Sequence, residues 1–347
     1  MRPGVDIAVV SLGTTPGLVR SDAAFAAMVE AAGASCEVVP VRIGASGRLR
    51  RHPAVTDLVE ALAARRSARG APRARAVVYS TVTAALLQRP GTPYGIRFDA
   101  TAALNRQGAA GAWQRRRERG VLDRADVLMP VSRGAEAAVA GARQPTVRVP
   151  IPVEEVEPAA ERDVDAVAYG SYPRKRGLEV LCAAWAEAAP AGARLVVGGA
   201  DREKGVAWLR RRGVPEPAGV EWAGELPREH WVDLVRRARL FLNASRWEDF
   251  GIAPMEALAA GTPVVTVPTP GSFEALPLVR ELGPDLVAED LGAPALARAL
   301  RAGLALGDAD RQRYRERALE LLAPYREEAI AAAVAERVLP ALGIEPS

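Results

Sequence analysis

The chain has 347 residues, room for two α/β domains of ordinary size, and a 49% hydrophobic share that can fill sizeable cores. Its net charge of +4, carried mostly by arginine, permits an anionic ligand, acidic lipid or nucleic acid without choosing among them. Cys36 and Cys182 lie too far apart to imply a disulfide framework, no stretch reaches transmembrane length, and the first apolar run is too short for a signal peptide, so a cytoplasmic protein, peripheral to a membrane at most, is expected.

The elements alternate from the start. Asp6 to Leu12 reads as a buried strand, Gly13 to Gly17 as a loop, and Ser21-Asp22 as the cap of a helix reaching Ala32. Cys36 to Val41 is the second strand of this βαβ opening. Its loop is not a dinucleotide fingerprint, because the glycine spacing is wrong. Pro53 to Ala68 reads as a helix with Val55, Leu58, Val59 and Leu62 turned inward. It ends in a basic run, Arg65, Arg66, Arg69, Arg73 and Arg75, which is a solvated face or a surface meeting acidic lipid or an anionic acceptor. Ala76–Ser80 and Pro93–Phe98 are strands, with Asp99 after the second as a helix cap or a ligand contact. Trp113–Arg119 opens a basic helix, Ala125–Ser132 is a strand ending in a serine cap, and Thr146–Val153, broken by two prolines, reads as a crossover.

The second half restarts the pattern. A strand, Asp165–Tyr169, leads into Gly170-Ser171-Tyr172-Pro173-Arg174-Lys175-Arg176-Gly177 and the helix Leu178–Ala188. Three cations beside a helix start make a diphosphate clamp. Arg194–Gly198 and Val220–Gly224 are strands, and Trp231–Arg237 is a helix. Leu240-Phe241-Leu242 is then a buried strand, Asn243 to Gly251 a loop, and Pro254 fits the first turn of a helix that Gly261 ends. Val264-Val265 begins the next strand. That loop lies at the carboxyl end of a parallel strand, where open α/β sheets bind ligands. Glu248 sits in the loop and Glu256 in the first helical turn, with Asp249-Phe250-Gly251-Ile252 between them turning backbone N–H groups outward. Two carboxylates and free amides suit the vicinal hydroxyls of a sugar and a ribose. Helices follow at Leu296–Leu306, Arg313–Leu322 and, past Pro324, Glu327–Val338.

The string EDFGIAPMEALAAG resembles the signature of the family 4 retaining glycosyltransferases. The resemblance implies the GT-B fold: two Rossmann-like parallel-sheet domains, residues 1–150 and 151–324, facing across a cleft, with a C-terminal helix, 325–347, crossing back to the first. It assigns Glu248 to the transferred sugar, Glu256 to the ribose, and the backbone of Phe250 and Gly251 to sugar hydroxyls, with Ile252 beside them among the donor-binding residues. Arg174, Lys175 and Arg176 fall to the donor diphosphate, Gly224 and Leu226 to the base, and Gly17 to a glycine loop facing donor and acceptor. Where many members carry a histidine before an aspartate, this chain has Phe98 before Asp99, so Asp99 or Arg97 takes that place; Ser171 likewise replaces a usual arginine. Asp163-Val164-Asp165 matches a metal-binding pattern but precedes its strand, away from the ligand side, and is read as solvation of the strand edge.

The resulting expectation is a metal-independent hexosyltransferase without cofactor, using a nucleotide diphosphate sugar and a sugar, lipid or small-molecule acceptor, with peripheral contact to acidic membrane as an option. A catalytically silent nucleotide-sugar binder is the alternative. Nucleic acid is set aside, because the arginine runs lack interleaved aromatics.

Overall fold

The computed structural model describes residues 4–44 and 53–345; His52 lies outside them. The chain divides into two compact units, Met1–Pro152 with Pro324–Ser347, and Val153–Ala323. Among the described residues no helix is long and apolar enough to cross a membrane.

The first unit is built on five parallel strands, β1 (Val5–Ser11), β2 (Cys36–Pro40), β3 (Ala74–Tyr79), β4 (Tyr94–Phe98) and β5 (Val127–Pro130), in the order β2-β1-β3-β4-β5. The order reverses between β1 and β3. Short apolar runs such as Ile7–Val10 make these strands because both sheet faces are covered. On one face Ile7, Val9, Val78 and Val127 pack with Phe25 and Met28, and also with Ile330, Val334 and Val338 from the end of the chain. On the other, Val10, Ile96 and Leu128 pack with Ala61, Ala64 and Val121.

Two local readings change. The first helix runs Pro16–Ala31 and is capped by Thr15, whose oxygen accepts from Leu18 N–H at 3.2 Å. Pro16 at its first position favours that start over Ser21-Asp22. Ser21 and Asp22 instead turn inward: Asp22 accepts from the Ser11 hydroxyl at 2.6 Å and lies 3.6 Å from the buried Arg97 guanidinium. Gly17 is therefore in a helical first turn, not in a free loop. The second correction concerns Pro53–Ala68, which is helical as expected but rolled the other way. Val55, Leu58 and Leu62 are exposed, whereas Asp57, Glu60, Ala61 and Ala64 are buried with Val59. Alanines let the helix approach the sheet, and Asp57 is paid for by Arg106, whose Nε and Nη2 lie 2.7 and 3.0 Å from its two oxygens.

The segment after β4 is shaped by a buried carboxylate. Both oxygens of Glu118, on the helix Ala112–Leu122, accept from Ala102 N–H at 2.8 Å. Burial pushes the Glu118 carboxyl up to about 7, against the opposing pull of that N–H and of Arg106. The folded chain thus holds this proton more tightly than the unfolded chain. The associated stability is present below about pH 4.5 and is lost as pH rises towards about 7, amounting to roughly 3 kcal/mol. Thermal unfolding of Glu118→Gln across that window is expected to lack this component. Parallel wild-type and variant curves would contradict it.

The second unit repeats the plan with β6 (Val164–Tyr169), β7 (Leu195–Gly198), β8 (Val220–Gly224), β9 (Ala238–Asn243) and β10 (Val264–Thr266), all parallel, in the order β10-β9-β6-β7-β8. β6 pairs with β9, Val167 opposite Phe241. From β6 the chain crosses to β7 on one side, and from β9 to β10 on the other. The loops leaving β6 and β9 therefore emerge side by side at the point where strand order switches.

Candidate active site

That adjacency brings together two segments far apart in sequence, 170–177 after β6 and 244–251 after β9. Arg246 N–H donates to the Lys175 carbonyl at 2.8 Å, stitching one loop to the other. Gly177 is where they touch: its φ is +60°, and a Cβ there would run into the carbonyl of Ala244. Only glycine satisfies both conditions at once.

Glu248 lies at the centre, 4% exposed. Its carboxylate pairs with the Arg176 guanidinium. Ser245 Oγ lies 2.9 Å from Glu248 Oε1 and 2.7 Å from Asn243 Oδ1, so its single hydrogen serves one acceptor at a time. Lys175 Nζ stands 4.0 Å from Glu248 Oε2 and 3.6 Å from Asp249. Arg176 rests over the Tyr169 ring, 5.2 Å from its centroid. Burial lowers the Arg176 guanidinium from its ordinary value, which means that its charge is poorly solvated and favours an anion beside it. Its Nε is buried with no hydrogen-bond acceptor. Arg174 and Lys175 are exposed.

The chain from Glu248 to Ile252 is held from below by a second loop. Glu248 N–H donates to Pro270 carbonyl and Glu274 N–H to Phe250 carbonyl, each at 3.1 Å. Phe250 is buried, so its backbone and not its ring is available to a ligand. Gly251 has φ +83°, and a Cβ would come within 2.5 Å of Phe273. This left-handed turn starts the helix Ile252–Ala259. The helix ends as expected at Gly261, where Thr262 N–H reaches Ala257 carbonyl and Gly261 N–H reaches Leu258 carbonyl.

Glu256 is five residues into that helix, a turn later than the sequence reading placed it. It accepts from Arg228 Nη1 at 2.5 Å and from Trp231 Nε1 at 3.1 Å, both on the helix Arg228–Arg237. Trp231 is packed edge-on against Tyr169 and Phe241. The half-buried carboxylate thus has fixed partners and a fixed direction. Gly224, with φ +66°, and half-buried Leu226 form the turn that feeds the Arg228–Arg237 helix.

Eight of the residues singled out from the sequence thus fall on the connected loops and helix start of this unit: Arg174, Lys175, Arg176, Glu248, Phe250, Gly251, Ile252 and Glu256. Gly17 and Asp99 belong to the first unit, Asp99 just past β4, close enough to Arg97 for their charges to interact. Sequence reasoning missed Ser245, Asn243, Arg228 and Trp231. Two polar residues closing an apolar strand, Asn243 and Ser245, were a usable signal; nothing local marks Trp231 as other than core. Asp163 and Asp165, at the amino end of β6, are engaged by arginines: Asp163 pairs with Arg237, and Asp165 Oδ2 accepts from Arg194 N–H at 2.9 Å.

Residues 164–306 match the family described as glycosyl transferases group 1. Among solved structures, sucrose-phosphate synthase from Thermosynechococcus elongatus is similar with a TM-score of 0.72 and 19% identity, over 96% of this chain and 98% of that one. HepE from Anabaena, solved in complex with UDP-glucose, gives 0.70 and 13%, over 96% and 99%. WaaG, a glycosyltransferase involved in lipopolysaccharide biosynthesis, gives 0.67 and 17%, over 95% and 100%. No curated protein matches the chain. The fold is that of the GT-B glycosyltransferases, and the group 1 family match covers residues 164–306.

Proposed function

We propose that this protein is a retaining, metal-independent hexosyltransferase that moves a sugar from a nucleotide diphosphate donor to an acceptor. The observation that carries the reading is the buried Glu248 carboxylate in contact with Arg176, with Glu256 aimed by Trp231 and Arg228 from the neighbouring helix. Transfer requires a leaving diphosphate whose growing charge is stabilised. Arg174, Lys175 and Arg176 supply that charge, taking the place a metal ion fills in other transferases. Glu248 orients the sugar with the Phe250–Ile252 backbone, Glu256 holds the ribose, and Gly224 and Leu226 flank the base. The likeness to HepE, which was solved with UDP-glucose, supports a nucleotide-sugar donor. Gly17 and Asp99 are assigned to the first unit's share of donor and acceptor.

A silent nucleotide-sugar binder is the second reading. Phe98 favours it, being 1% exposed and so unable to give the polar contact that precedes the aspartate elsewhere.

A ligand that binds only the folded chain raises its melting temperature. In a panel of UDP, GDP, ADP and their glucose derivatives, run with and without EDTA, one base is expected to shift melting by a few degrees in both, and its sugar derivative to be consumed. A shift without consumption, with or without candidate acceptors, supports the silent binder. No shift with any of them would overturn both readings, and a shift abolished by EDTA would remove metal independence.

A further inference from the structure

Tyr172, in the loop after β6, differs from the rest of the second unit in two ways. Its backbone is left-handed, with φ +56° and ψ +69°, and among the described residues it alone has a positive φ without being a glycine. A residue with a Cβ is strained there. Pro173 comes next, and a proline pushes the residue before it towards extended backbone, which Tyr172 does not adopt. Its ring is 73% exposed, more than any other large apolar side chain described. Strain and an uncovered ring both cost stability, and at this exposure packing within the unit returns little of it.

The two ends of the loop are tied to different neighbours. At the Tyr172 end, Gly170 N–H donates to Gly198 carbonyl at 2.7 Å. Ser171 lies so close to Gly199 that a Cβ there would come within 3.0 Å of the Ser171 nitrogen. Gly199 N–H in turn donates to Gly224 carbonyl at 2.6 Å, and Gly224 N–H to Ala200 carbonyl at 3.1 Å. This end is therefore joined, through one short loop, to the Gly224–Leu226 turn after β8. The other end belongs to the β9 side, where Lys175 carbonyl accepts from Arg246 N–H and Arg176 meets Glu248.

We infer that the Tyr172 ring stacks on the base of the donor nucleotide and completes the site begun by Gly224 and Leu226. The inference deepens the sugar-transfer reading and rests on its placement of the base. Neither Gly224 nor Leu226 offers a flat π face, and Tyr172 does. Base–aromatic stacking is worth roughly ten- to a hundredfold in affinity, and it covers the ring that is otherwise left in water. The strained backbone then acts as preorganisation, fixing the ring in place before the ligand arrives. The transferred sugar is a poorer target, because Glu248, assigned to it, stands at the opposite end of the loop.

The test is calorimetric titration of the full chain with UDP, GDP and ADP, and with inorganic pyrophosphate, which has no base. For the nucleotide that wild type prefers, Tyr172→Ala and Tyr172→Gly are expected to bind roughly ten- to a hundredfold more weakly, and Tyr172→Phe like wild type. Pyrophosphate is expected to bind all four proteins alike. Tyr172→Gly also relieves the left-handed strain, so it is expected to melt at or above wild type while binding less well. Loss of fold cannot produce that combination. Full nucleotide affinity in the alanine and glycine variants would overturn the inference and leave the sugar-transfer reading standing. An equal loss for pyrophosphate would overturn it by placing the ring on the phosphates. A loss seen with the nucleotide sugar and not with the bare diphosphate would overturn it by placing the ring on the sugar. If wild type bound none of the nucleotides, the sugar-transfer reading would fail and this inference with it.

Discussion

Arg176→Ala is expected to lower sugar transfer by about a hundred- to a thousandfold, because it removes a preorganised charge from a poorly solvated site where charge grows on the leaving diphosphate. It is also expected to weaken binding of the bare nucleoside diphosphate. Glu248→Gln is expected to lower turnover by a similar factor while leaving bare nucleotide binding nearly unchanged. The two side chains are in contact, so the double variant is expected to fall little further than the worse single one. Arg176→Ala also leaves Glu248 4% exposed with only Ser245 and the more distant Lys175, so part of its effect is a loss of stability. Melting curves recorded beside steady-state turnover separate the two. Undiminished transfer by a folded Arg176→Ala protein would remove Arg176 from the mechanism.

The second large effect is at Glu256. Glu256→Gln keeps the size of the side chain and can still accept from Trp231, so the Ile252–Ala259 helix is expected to survive. The loss of a charged hydrogen bond to the ribose is worth roughly 1–3 kcal/mol, about a 5- to 150-fold weaker nucleoside diphosphate. Trp231→Phe retains the apolar packing on Tyr169 and Phe241 but cannot donate to Glu256. It is expected to reproduce part of that loss, as a residue that positions the carboxylate and need not touch the ligand. Calorimetric titration of the diphosphate checks both.

Much of the fold was legible, because short apolar runs bounded by glycine and proline name the buried strands of a parallel sheet. Val220–Gly224 and the helix Leu178–Ala188 appear with the bounds read from sequence. The glutamate string also named its loop and helix correctly. What was not legible depends on partners distant in sequence. Asp57 reads as a solvated residue until Arg106, 49 positions later, is placed beside it. The helix then rolls to bury Ala61 and Ala64, and Leu58 and Leu62 face out. Ser21-Asp22 resembles a cap for the same reason: its tie to Arg97 spans two strands and two helices. The Arg176–Glu248 contact spans 72 residues and follows from the pairing of β6 with β9, which no local spacing reveals. Arg228 and Trp231 gave no sign of their contact with Glu256, because a tryptophan inside an amphipathic helix looks like core.

The division of labour between the two glutamates is the centre of this account, and calorimetry on two variants tests it most directly. Nucleoside diphosphate and nucleotide sugar are titrated into Glu248→Gln and Glu256→Gln, each first shown to melt like wild type. Glu256→Gln is expected to bind both ligands more weakly, since both contain the ribose. Glu248→Gln is expected to bind the bare diphosphate like wild type and to lose only the extra affinity and the turnover that the sugar brings. If both variants bind both ligands and transfer sugar as wild type does, Glu248 and Glu256 are structural parts of a helix entry and the proposed chemistry is wrong.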